Sequence, residues 1–201
     1  MTHARRKRTA VLISGRGSNM QALVEAARAP DYPAEIALVL SNRPDAAGIH
    51  FARKNAIATA VIDHKIYVGR EEFDRAMQAM LDIHRIELVC LAGFMRLLSP
   101  WFVNQWRGRI LNIHPSLLPL YKGLNTHERA LADGAREHGC TVHFVVPELD
   151  AGPVILQARM PVLAGDTAEI LAARVLAKEH VIYAEALRMV ADGALSLGGQ
   201  Q

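Results

Sequence analysis

The stretch "LNIHPSLLP", Leu111 to Pro119, carries the first chemistry the chain offers. An apolar run ends in an amide, Asn112, and an imidazole, His114, with Pro115 directly behind. Side chains two apart on a strand project to the same face, so both can reach one oxygen atom. If that oxygen gains negative charge in a reaction, an amide and a protonated imidazole form an oxyanion hole with a proton source. Pro115 keeps His114 extended and fixes the exit of the chain. The plainer reading is a strand-end histidine satisfied by local hydrogen bonds. "ELDAGPV" supplies a third group, Asp150, in a turn before Gly152-Pro153, with Glu148 as a competitor. A carboxylate near His114 would stabilise positive charge on the ring. The alternative is an Asx-turn that serves only its own loop.

"ISGRGSN", Ile13 to Asn19, follows a strand-like run and opens a helix-like one. Free backbone N–H groups and the positive end of a helix suit a phosphate there. A dinucleotide fingerprint needs a small residue at position 20, where Met20 stands, and an acidic residue after the second strand, where Ser41-Asn42 stand. A nucleoside-triphosphate loop needs more residues between its glycines, then Lys and Ser or Thr. What remains is a loop sized for one phosphate monoester, with Gly17 in the turn and Ser18 and Asn19 as donors, or a tight turn without a ligand.

The nine histidines do not fall into metal-ligand spacings, so no metal is expected. No Gly-x-Ser-x-Gly elbow occurs, which disfavours a covalent acyl-enzyme and favours direct transfer through a tetrahedral intermediate. Cys90 and Cys140 read as reduced core thiols and fit a cytoplasmic protein. The net charge of +3 does not point to nucleic acid, and no apolar run is long enough to span a bilayer. The run Arg5-Arg6-Lys7-Arg8 reads as a solvated tail.

These groups need a scaffold, and the 201 residues, 51% apolar, can supply one. Strands are expected at Thr9–Ser14, Glu35–Ser41, Thr59–Asp63, "ELVCLAG", "RILNIH", Cys140–Val146 and Pro153–Val162. Helices are expected at Asn19–Arg28, within "DAAGIHFARKN", at Arg70–Arg85, near Thr126–Asp133 and from about Ala168 to Val190. Asp166-Thr167 would cap the last helix and Gly193 would stop it. Strand–helix alternation predicts an α/β fold, a mostly parallel twisted sheet with helices on both faces. The last two strands lack a crossover helix and should pair antiparallel. One domain over 1–201 is expected, with residues 1–8 as a basic tail and 194–201 as a frayed end.

In this order and spacing, "ISGRGSN", "LAGFMRLLSP", "LNIHPSLLP", "THERAL", "HGCTVHFV" and "ELDAGPVILQ" resemble the phosphoribosylglycinamide formyltransferase family. This is a folate-dependent branch of the formyltransferase superfamily acting in purine synthesis. The likeness runs from about Arg8 to Gly193. It implies a formyltransferase-like Rossmann variant and a formyl transfer from 10-formyltetrahydrofolate, as co-substrate, to glycinamide ribonucleotide. It implies Asn112, His114 and Asp150 as the catalytic trio. Gly17, Ser18 and Asn19 would hold the substrate phosphate, and Glu179 would sit near its ribose and glycinamide part. Met95, Arg96, Leu97 and Leu98 would line the pterin cleft, Val146 to Asp150 would form the other wall, and Arg70 would lie near the glutamate end. Leu176 departs from members with a polar residue one turn before the glutamate, and Lys122 faces either ligand or solvent. A monomer or homodimer is expected, with no nucleic-acid or membrane partner.

Two rivals share the trio. A methionyl-tRNA formyltransferase is expected to add a C-terminal RNA-binding domain, and a formyltetrahydrofolate hydrolase an N-terminal regulatory one. A strand starting near residue 9 and a chain ending soon after its long helix disfavour both. A non-catalytic folate- or nucleotide-binding module is the remaining alternative.

Overall fold

The chain runs β1 (Lys7–Ile13), α1 (Ser18–Ala26), β2 (Ala34–Ser41), α2 (Ala47–Lys54), β3 (Ala58–Val61) and a short 3-10 turn (His64–Ile66). It continues α3 (Arg70–Ile83), β4 (Leu88–Leu91), α4 (Pro100–Gln105), β5 (Ile110–His114), α5 (Thr126–Ala132), β6 (Glu137–Phe144), β7 (Val154–Pro161) and α6 (Ala168–Ala191). The structure is a computed structural model and describes residues 5–197.

The strands form one sheet in the order β3-β2-β1-β4-β5-β6-β7. The first five pair in parallel, while β6 runs antiparallel to both β5 and β7. Alternate residues of each central strand feed two cores. Val11, Ile13, Val39, Cys90 and Leu111 pack beneath α1, α2 and α6, and Ala10, Leu12, Leu38, Leu40 and Val89 pack beneath α3 and α4. Burial on both faces explains why these strands read as unbroken apolar runs.

Strand order reverses at β1, with β2 on one side and β4 on the other. Such a switch point opens a crevice at the carboxyl ends of the strands, where ligands of open α/β sheets bind. "ISGRGSN" leaves β1 at that crevice, "AGFMRLL" leaves β4, and Asn112 and His114 end β5 beside it.

Helix α6 packs on one face of the sheet, with Glu179 reaching Asn19 of the glycine loop. Thr167 accepts a hydrogen bond from Ile170 N–H as its N-cap, and Gly193, φ 82°, follows its last turn. Val175, Glu179, Ile182, Tyr183 and Ala186 form its buried face. The Tyr183 hydroxyl lies 2.9 Å from Leu91 O and 3.1 Å from Leu111 O, which seats the helix on β4 and β5.

Three details depart from the sequence reading. Helix α4 was not anticipated; Ser99 caps it, accepting from Phe102 N–H, and Pro100 begins it. The basic run is not a loose tail. Lys7 and Arg8 begin β1, the Arg6 guanidinium donates to Ala27 O and Ala34 O, and Arg5 and Lys7 pair with Glu87. Residues 1–4 of the expected tail lie outside the described residues. Of the expected frayed end, Leu195 N–H donates to Met189 O and Leu197 lies over Gly108; residues 198–201 are outside the described part.

Candidate active site

Asn112 and His114 end β5, and pairing with β6 sets their neighbours. The register places Asn112 opposite His143 and His114 opposite Thr141. Thr141 secures the chain just past His114. Its hydroxyl donates to Ser116 O at 2.7 Å and accepts Leu118 N–H at 3.1 Å, while Gln157 Nε2 reaches both it and Leu118 O. Ser116 in turn donates to Leu120 O. The loop so braced aims the Tyr121 carbonyl at His114 Nε2, 2.9 Å away. A carbonyl only accepts, so Nε2 carries a hydrogen. In the neutral ring Nδ1 is therefore the nitrogen without a hydrogen.

His114 Nδ1 faces Asp150, 3.4 Å from Oδ2, with both side chains over nine-tenths buried. Asp150 stands in a left-handed backbone conformation, φ 47°, in the turn between β6 and β7, and its Oδ2 accepts Gly123 N–H at 2.9 Å. Its bond to another loop disposes of the Asx-turn alternative, and Glu148, the sequence competitor, is exposed. A non-glycine residue held at positive φ costs free energy that the surroundings must offset, a pattern that concentrates at working sites. Tyr121, φ 52°, is a second instance on the opposite side of the imidazole.

His143 completes the cluster and was missed as a partner, because its sequence position suggested only a possible metal ligand. It is 2% exposed. Its Nδ1 lies 2.9 Å from Phe144 O, so that nitrogen holds the hydrogen. Burial lowers its pKa, against smaller opposing effects of Phe144 O and Asp150. The ring is then neutral and its Nε2 is a bare acceptor, 3.2 Å from Asn112 Nδ2. This contact fixes the amide with nitrogen toward His143 and leaves its second N–H free to donate. Asp150 Oδ1 is 3.8 Å from the same His143 nitrogen. The sequence hint was the alternation in "CTVHFVV", but only the pairing register gives it meaning.

The glycine loop lies beside the same crevice. Gly17 is the N-cap of α1, in the left-handed conformation at φ 70°, and no side chain caps the helix. The first turn, with Ser18 and Asn19, is thus open to an anion. Asn19 Nδ2 donates to Glu179 Oε2 at 2.7 Å, and both residues are buried. Burial raises the Glu179 pKa, partly offset by Asn19. The two stretches expected to share a substrate are joined, although 160 positions separate them.

The residues expected on the folate side are spread along exposed loops. Met95 is 64% and Leu97 55% exposed, Arg96 and Arg70 are exposed, and Leu98 and Val146 are half-buried. Arg70 begins α3. Both arginines act on the buried carboxylate of Asp74, whose pKa burial raises and the Ser99 bonds and the two cations lower. Asp74 Oδ2 accepts Ser99 N–H at 2.6 Å, anchoring the far end of the Met95–Leu98 segment. Large apolar side chains left in water beside a polar cluster suit a flat, partly apolar ligand. Lys122 is exposed, and Leu176 is half-buried one turn before Glu179. No helix among the described residues is long and apolar enough to cross a membrane.

Comparison with known proteins gives the family. A model of the formyl transferase family matches residues 7–187. Phosphoribosylglycinamide formyltransferase of Escherichia coli K12 is 49% identical over 187 residues, covering 93% of this chain and 88% of that one. The human trifunctional purine biosynthetic protein adenosine-3 is 51% identical over 194 residues, 96% of this chain, which spans only 19% of its length. A crystal structure of glycinamide ribonucleotide transformylase 1 from Symbiobacterium toebii superposes with a TM-score of 0.94 at 45% identity, covering 99% of this chain and 93% of that one. The chain belongs to the formyl transferase family.

Proposed function

We propose that this chain transfers a formyl group from 10-formyltetrahydrofolate to the amine of glycinamide ribonucleotide, a step of purine synthesis. The observation that carries the reading is the cluster at the end of β5, with an oriented amide, Asn112, beside an imidazole whose Nδ1 faces Asp150 at 3.4 Å. The glycine loop, joined to Glu179, offers a place for the phosphate and ribose of the acceptor.

In the proposed reaction the amine attacks the formyl carbon and a C–N bond forms. The carbonyl oxygen becomes an alkoxide, which the free Asn112 N–H and the positive charge of doubly protonated His114 stabilise. Asp150 accepts from Nδ1–H and balances the ring's charge. The bond from carbon to the folate nitrogen then breaks. The attacking amine has lost one proton and the leaving nitrogen gains one, with Asp150 and His114 placed to pass it, directly or through water. Gly17, Ser18 and Asn19 hold the phosphate, and Glu179 approaches the ribose. Met95, Arg96, Leu97 and Leu98 form one wall for the pterin, Val146 to Asp150 the other, and Arg70 meets the glutamate end.

The test is release of tetrahydrofolate with and without glycinamide ribonucleotide. Release that depends on the ribonucleotide is expected. Equal release without it would make the protein a hydrolase, and none in either case would make it a binding module.

A further inference from the structure

Ser14 is the first residue after β1 and sits at the switch point of the sheet, three residues before Gly17 of the glycine loop. It is 4% exposed. Its N–H donates to Gly93 O at 3.2 Å, and its Oγ accepts Met95 N–H at 2.8 Å. Its hydroxyl hydrogen goes to Asn42 Oδ1 at 2.6 Å, a buried bond that fixes the rotamer. Asn42 is itself 2% exposed, at the end of β2. One small hydroxyl thus joins the segments leaving three strands: the glycine loop, the turn after β2, and the Met95–Leu98 wall. The wall has a second anchor at its far end, where Ser99 N–H meets Asp74. Met95 to Leu97 are exposed, and the chain enters this segment through Gly93, φ 68°.

We infer that Ser14 is a positioning residue that couples the two substrate sites, so that filling the phosphate loop tightens binding at the folate wall and the reverse. This rests on the function proposed above. A shift of the glycine loop that reaches Ser14 passes directly to the backbone of Met95, whose N–H donates to Ser14 Oγ. The link is two direct hydrogen bonds from one residue, with no intervening relay. Coupling between binding sites is reciprocal, so each ligand must change the other's affinity by the same factor.

The experiment measures the Kd of tetrahydrofolate, as unreactive probe, with and without saturating glycinamide ribonucleotide, by titration calorimetry on the wild type and Ser14→Ala. A separate assay follows ribonucleotide-dependent turnover of 10-formyltetrahydrofolate by the wild type. The expected result is a wild-type Kd at least threefold tighter with the ribonucleotide, and a ratio near one in Ser14→Ala. The ribonucleotide's Kd should show the same two factors when tetrahydrofolate is varied. A purely structural role for Ser14 would lower the Tm and leave the ratio at its wild-type value. Should Ser14→Ala not fold, Ser14→Cys, similar in size with a far weaker hydrogen bond, carries the same comparison. Wild-type turnover with a ratio of one, or a ratio unchanged in the variant, overturns the inference alone. Absence of ribonucleotide-dependent turnover overturns the functional reading and the coupling with it.

Discussion

Asn112 faces His143 across the antiparallel β5–β6 ladder, and Asn112 Nδ2 lies 3.2 Å from His143 Nε2. A neutral His143, its hydrogen committed to Phe144 O, is what holds the amide nitrogen forward. The two residues should therefore act as one unit. Asn112→Ala is expected to lower kcat roughly a hundredfold, about 3 kcal/mol, by analogy with loss of one oxyanion donor. His143→Ala should lower it by a smaller factor, because the amide then rotates freely. The double variant should be no slower than Asn112→Ala alone. Multiplying losses in a double-mutant cycle of kcat would show that His143 acts by some other route.

Asp150→Asn separates charge from shape. The asparagine oxygen can still accept Gly123 N–H, so the turn keeps its tie to the loop beyond His114. The negative charge facing His114 Nδ1 is gone. Turnover is expected to fall by roughly a hundredfold, within the range for loss of a positioned acid–base group, with the Tm within a few degrees of wild type. A variant that keeps near-wild-type kcat would remove Asp150 from the chemistry.

What the sequence conveyed follows from which signals are local. The period of two put Asn112 and His114 on one face, so that pair was legible; the turn "ELDAGP" offered Asp150, but only the folded chain brings it to 3.4 Å from His114 Nδ1. Unbroken apolar runs announced the central strands for the same reason. His143 was not legible as a partner because its meaning depends on which β6 residue faces Asn112, and register is a product of tertiary pairing. The Tyr121 carbonyl has no side-chain signature, since it works through a left-handed backbone that tyrosine does not advertise. Helix α4 did carry a signal, Ser99-Pro100 as cap and first residue, but six residues are too few for a helical period to show. The basic run misled because charge suggested solvent, whereas Arg6 spends its guanidinium on backbone carbonyls.

Acid should weaken the fold through His138. The ring is 1% exposed, and burial, aided by His127 3.1 Å away, pushes its pKa down from 6.5 to about 4. The unfolded chain takes up this proton near pH 6.5 and the folded chain only near 4. Between those values the unfolded state binds more protons, so stability is complete above the window and is lost as pH falls through it. A shift of this size corresponds to ~3 kcal/mol. Burial depresses His143 as well, with the same sign. Urea unfolding at a series of pH values should show this slope, and His138→Gln should flatten it. A midpoint constant from pH 7 to 4.5 would refute the assignment.

Gly152 tests whether the backbone of the β6–β7 turn sets the position of Asp150. A Cβ at this residue would lie 1.7 Å from Phe144 O and 2.8 Å from Phe144 C, both backbone atoms in the ladder beside His143. No rotamer change relieves such an overlap, so in Gly152→Ala the turn must lift away, and Asp150 is only two residues distant. Misplacing a reacting group by about 1 Å can cost a hundredfold in rate, so kcat should fall by roughly that factor together with the Tm. Gly134→Ala provides the contrast. Gly134 is in the left-handed region, φ 63°, and a Cβ there meets nothing within 4 Å. Its strain should cost roughly 1 kcal/mol of stability and leave kcat unchanged. If both variants lose stability alike and both keep full turnover, the tight approach of the turn to β6 has no part in placing the carboxylate.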